Sequence, residues 1–193
     1  KFGVNRKGDI RFGLAAVKGV GENAVLAIVE ERDKNGPFKN IFDFVQRVNL
    51  TACNRRNIEN LAMAGAFDCF SEISREQFME LCGKGEPFSE VLVRYGSKYQ
   101  IDKQMAVNSL FGMSDEVAIF TPVIPKSIPW SALDRLNKEK DLVGIYLSAH
   151  PLDEFKLILE YVCNTNMLEM SNREELLNRE IVTGGIVMDL REG

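Results

Sequence analysis

The chain has 193 residues, 45% hydrophobic and 27% charged, with a net charge of −4. That balance suits a globular domain or two, and no apolar run approaches the roughly 20 residues of a bilayer-spanning helix, so no membrane partner is expected. An acidic chain is a poor generic nucleic-acid binder, but the charge is split: residues 1–65 hold 11 Lys/Arg against 7 Asp/Glu, and residues 66–193 hold 13 against 21. A phosphate backbone would therefore meet the first third, and the acidic remainder would face protein or solvent.

In chain order, Asp9 to Leu14 alternates and predicts a short strand or extended stretch. Leu14 and Val17, then Gly19-Val20-Gly21, then Val25, Ile28 and Val29 predict a helix, a tight turn and a second helix. Amides at the start of a helix lack intrahelical partners and carry the positive end of its dipole, so they suit a phosphate. The candidate phosphate site is Lys18, Gly19, Val20, Gly21, Glu22 and Asn23. The glycines allow close approach, Val20 plugs into the helix pair, the Gly21 to Asn23 amides face the anion, and Lys18 adds charge. Glu22 would repel a phosphate if it turned inward, and otherwise serves the helix N-terminus. The alternative is a Gly-rich turn that only lets two helices pack.

Gly36-Pro37 ends the second helix, and Ile41 to Val48 predicts a short amphipathic helix with Phe42 and Val45 inward. Asn54 to Ala64 predicts another, ending at Gly65. Gly65-Ala66-Phe67 reads as a second, imperfect hairpin; Phe67 would crowd a phosphate, so this copy is expected to be structural. Ser74 to Met105 reads as helical with breaks at Gly83, at Gly85-Glu86-Pro87 and at Gly96. Met113 to Pro129, with three prolines, reads as an extended linker. Helices are expected from Ser131 to Leu147, after His150-Pro151, and after the capping pattern Ser171-Asn172-Arg173-Glu174. Glu180 to Leu190 is β-rich and predicts one strand. The chain starts at Lys1 and stops at Gly193 within that strand-like pattern, so a segment of a longer protein is expected.

Metal and catalytic chemistry find little support. Cys53, Cys69, Cys82 and Cys163 form no CxxC pair and accompany a lone His150, which argues against zinc and for thiols in a reducing cytoplasm. His150 lacks a readable nucleophile or ligand partner and suits a helix start. Asp115-Glu116 and Asp153-Glu154 read as solvated charges.

GLAAVKGVGENAV, GPFKNIFDFVQRV, NRRNIENLAMAGAFD and, later, EKDLVGIYLSAHPLDEF together resemble the bacterial replicative (C-family) DNA polymerases, in the region after the fingers. The resemblance covers nearly the whole chain in order, and VTGGIVMDL would open that family's oligonucleotide-binding (OB) barrel. It implies a mainly α chain: a tandem helix-hairpin-helix domain (1–72), a helical segment ending in a clamp-binding motif (73–112), a linker (113–129), a helical region (130–178), and the first strand of the OB domain (179–193). It implies part of a DNA-directed DNA polymerase whose Mg2+-binding carboxylates lie upstream, so this stretch carries no catalytic or metal-binding residues and needs no cofactor beyond a monovalent cation at the hairpin carbonyls. The implied partners are duplex primer-template DNA, the sliding clamp and other replicative holoenzyme subunits. Ser109, Leu110 and Phe111 stand where the family's clamp peptide falls, with Val107 in place of its glutamine. A stand-alone hairpin module of a repair factor and a scaffold-only interaction domain remain the alternatives.

Overall fold

The computed structural model describes residues 2–83, 85–108, 120–171, 176–187 and 190–191, which form two compact units, Lys1–Ile145 and Tyr146–Gly193. Ser109, Leu110, Phe111 and the pair Asp115-Glu116 lie outside the described residues.

The first unit opens with a two-stranded antiparallel ribbon, β1 (Gly3–Val4) and β2 (Ile10–Arg11), in the register Gly3↔Arg11. The side-chain oxygen of Asn5 accepts from the Lys7 and Asp9 amides and shapes its turn. The first hairpin helix is shorter than expected. Leu14–Ala16 forms a single 3-10 turn, because Gly13 before it and Val17 after it are both extended. Helix α1 (Glu22–Asn35) follows and stops at Gly36, whose φ of +82° suits glycine.

Helix α2 (Ile41–Arg47) starts at Asn40, whose side chain accepts from the Asp43 amide at 2.8 Å. It buries Ile41, Phe44 and Val45. Val45 points inward as expected, but Phe42 is only half-buried, edge-on to Tyr95, and Phe44 takes the core position. Helix α3 (Arg55–Met63) has Asn54 as its cap and closes at Gly65. There the Gly65 amide bonds Ala62 O and the Ala66 amide bonds Leu61 O, the paired Schellman closure.

Phe67 ends this second turn and points into the core, 4.9 Å edge-on from Phe44 and 5.5 Å stacked on Phe78. The second hairpin is thus closed by its own aromatic plug.

Helix α4 (Phe88–Asn108) departs from the sequence reading, because it runs unbroken through Gly96. A Cβ at Gly96 would lie 2.5 Å from Val45 O and 2.9 Å from Leu50 Cδ1. Glycine here lets α4 cross the end of α2 at close range. Gln100, one turn on, donates to Val45 O (2.9 Å) and Val48 O (2.8 Å). From Phe120 the chain runs extended; Gln77 Nε2 donates to Pro125 O at 2.7 Å, and Ile124 packs on the core. Ser131 caps helix α5 (Ala132–Val143), which ends at Gly144 with φ +88° and packs against α3.

In the second unit, Pro151 precedes a 3-10 turn (Asp153–Phe155) and helix α6 (Lys156–Tyr161). His150 starts this element: its amide donates to Asp153 Oδ2 (2.7 Å) and its Nδ1 accepts from the Leu152 amide (3.2 Å). No strand forms among the described residues of 179–193, contrary to expectation. The described sheet has only the two strands β1 and β2, and the Val182 amide bonds the Asn164 side chain, so the strand-like sequence has no ladder to join.

Candidate nucleic-acid interface

The Gly19-Val20-Gly21 turn joins the 3-10 turn to α1 and is anchored from below. Val17 and Val20 are buried, and the Val20 amide bonds Val17 O at 3.1 Å. Gly19 adopts φ +77°, which an L side chain rarely tolerates. Asn60 of α3 occupies the space beside it and donates from Nδ2 to Lys18 O at 3.2 Å. Any Cβ at position 19 would strike that side chain.

Gly21 caps α1 through its main chain alone: its carbonyl accepts from Ala24 and Val25, and no side chain takes the free amides. The amides of Gly21, Glu22 and Asn23 accordingly have no hydrogen-bond partner among the described residues, and all three residues are exposed. Three main-chain donors at the positive end of a 14-residue helix can together donate to one oxyanion. Glu22 is exposed, accepts no hydrogen bond from these amides, and forms no ion pair among the described residues. Lys18 is exposed, but its main-chain N–H is already used by Leu142 O at 2.8 Å. Lys18 can therefore offer an anion its ammonium and not its amide.

Two residues absent from the sequence reading join this face. Asn60 is the brace described above. Arg56 lies one turn earlier on the same side of α3, exposed and without an ion-pair partner among the described residues. Its neighbour Arg55 is neutralised by Glu59 (2.6 Å) and Glu90 (2.8 Å), and those hydrogen bonds hold its pKa above the usual arginine range. Sequence alone offers two equivalent arginines; helical phase and a carboxylate 35 residues away separate them.

The second hairpin turn presents no comparable opening. The Arg75 guanidinium fills the space beside Gly65, donates to Met63 O and Asp68, and meets Glu139 of α5 at 3.0 Å. Burial pulls Asp68 up, but hydrogen bonds and charge from Arg75, then Arg135, outweigh it and hold its carboxyl below the usual range. Elsewhere, Cys53 is fully buried and its thiol is pushed up to about 12 by burial, so it is no nucleophile. Among the described residues no three His, Cys, Asp or Glu side chains converge as a metal site would require, and no helix is long and apolar enough to cross a membrane.

Residues 1–78 match a family profile described as "Helix-hairpin-helix motif". Curated relatives carry the name DNA polymerase III subunit alpha. The protein of Deinococcus radiodurans is 39% identical over 154 residues, covering 79% of this chain and 11% of that protein. That of Chlamydia trachomatis is 37% identical over 161 residues, covering 83% and 12%. That of Vibrio cholerae is 31% identical over 200 residues, covering 100% and 16%. The chain thus spans a small fraction of the length of these relatives.

Proposed function

Because the chain belongs to the DNA polymerase III alpha subunit family, of which it corresponds to one stretch, we propose that it serves a DNA-directed DNA polymerase of bacterial chromosome replication. Its part is to grip the backbone of duplex primer-template DNA, without itself forming the phosphodiester bond. The observation that carries this reading is the trio of exposed, unpartnered amides at Gly21, Glu22 and Asn23. They sit on a turn that Val17 and Val20 fix from beneath, with the charges of Lys18 and Arg56 on the same unit. Donors of this kind contact phosphate and read no base. The Val20 carbonyl, which accepts no hydrogen bond among the described residues, would help hold a monovalent cation that stiffens the turn.

The remainder of the proposal rests on kinship. Ser109, Leu110 and Phe111 would dock on the sliding clamp, with Leu110 and Phe111 as apolar anchors; other holoenzyme subunits would meet the acidic remainder. Four free cysteines and a replicative role suit the cytoplasm.

The test is fluorescence anisotropy of a primed duplex titrated with the chain at several salt concentrations. Affinity is expected to fall linearly on logarithmic axes as salt rises. The Lys18→Gln change is expected to lower the slope by about 0.9, the value for one neutralised phosphate. A folded sample that ignores duplex at low salt would refute the reading. For the clamp, Leu110→Ala with Phe111→Ala is expected to abolish co-precipitation, and unchanged capture would remove that assignment.

A further inference from the structure

The two peptide groups that flank Lys18 are each held by an element distant in sequence. Its carbonyl accepts from Asn60 of α3, and its N–H donates to Leu142 O in the last turn of α5. The last carbonyls of a helix have no partner within it, and this one is satisfied by the turn that would meet phosphate. Further back on α5, Glu139 is 1% exposed and pairs with Arg75, itself 6% exposed. Arg75 closes the second hairpin through Met63 O and Asp68, and Arg135 of α5 reaches Asp68 at 2.9 Å. A single helix, more than a hundred residues downstream of the first hairpin turn and 64 residues beyond Arg75 at the second, is thus tied to both.

We propose that α5 is a positioning element of the DNA grip, with Glu139 as its anchor and Leu142 O as its point of contact with the phosphate-facing turn. This rests on the duplex reading above. Once α5 is seated, the Lys18 N–H is consumed and the peptide between Val17 and Lys18 is fixed, as Asn60 fixes the next one through Lys18 O, so the free amides that follow point outward together. When α5 is released, Lys18 regains a free N–H and the turn retains Val17, Val20 and Asn60 as its supports. The grip then loses its alignment although the core beneath it persists. Removing Glu139 is the sensitive perturbation, because it leaves Arg75 buried with half of its counter-charge.

Two readouts on the 193-residue chain test this. Amide hydrogen exchange, measured without DNA, is expected to show the Lys18 N–H protected in the wild type and exposed in Glu139→Gln, while Ile58 and Leu61 amides within α3 keep their protection. Duplex affinity at low salt is expected to fall about fivefold or more, the lower end of ordinary coupling between distant groups. Arg135→Gln, at a half-exposed pair, is the milder variant should Glu139→Gln fold poorly, and is expected to shift both readouts in the same direction. If the wild type binds duplex and either well-folded variant leaves affinity and Lys18 exchange unchanged, the positioning role is wrong and the duplex reading stands. If the wild type does not bind duplex, both fall together.

Discussion

Replacing Gly96 by alanine sets two effects of opposite sign against each other. Helix propensity favours alanine over glycine by about 1 kcal/mol in a helix interior, and Gly96 lies in the interior of α4. Packing opposes it: the new Cβ would stand 2.5 Å from Val45 O and 2.8 Å from Val45 Cβ, where ordinary contact begins at 3.4 Å. One of those atoms is main chain and cannot rotate away, so α2 and α4 must separate. Overpacking of this kind costs roughly 1–3 kcal/mol. Separation also lengthens the Gln100 bonds to Val45 O and Val48 O, each contributing about 1 kcal/mol. Packing wins, and Gly96→Ala is expected to destabilise the first unit by about 1–2 kcal/mol. In urea, with a slope of about 2 kcal/mol per molar, the midpoint should fall by roughly 0.5–1 M. A midpoint unchanged or raised would refute the close crossing of α4 on α2.

Other expectations are simpler. Asn54→Ala removes the acceptor for the Asn57 amide and should cost about 1 kcal/mol by chemical denaturation; no loss would show the cap to be solvated. Two carboxyls contribute to acid stability. Burial raises Asp68 and Glu31, but Arg75 and Arg135 for the first, and Arg47 with Asn35 for the second, bring both below their ordinary values. A depressed folded pKa means stability that is fully present above the unfolded value, near 4, and is lost as pH falls through the folded one. The melting temperature should therefore decline below about pH 4, and Asp68→Asn should flatten part of that decline; an unaltered profile would show that Asp68 carries none of it.

Local signals in the sequence were legible where chemistry and position coincide. Gly19-Val20-Gly21, the Gly36-Pro37 stop and the Gly65 closure each depend on a few adjacent residues, and each stands where its residues indicate. Gly96 misled for a physical reason. Glycine marks either a break or a close approach, and only the partner surface, here Val45 and Leu50, distinguishes them. Phe42 and Phe44 are both aromatic on one short helix, and α2's orientation on α4 decided between them. The strand expected after Glu180 had the right composition but, among the described residues, no partner strand: Val182 O accepts from the Asn164 and Thr165 amides, which belong to no strand. The tie of Glu139 to Arg75 spans 64 residues, so no window along the chain contains it. Arg56 was indistinguishable from Arg55 until Glu90 was placed.

The buried pair Val17 and Val20 beneath the turn bears on movement as well as on grip. A turn that is already rigid has no loop to order when DNA arrives, and donors made of main chain look the same to every nucleotide. For such a contact, successive positions along the duplex are nearly equal in energy. On the proposed duplex reading, DNA would then advance one step at a time across the hairpin with no register preferred.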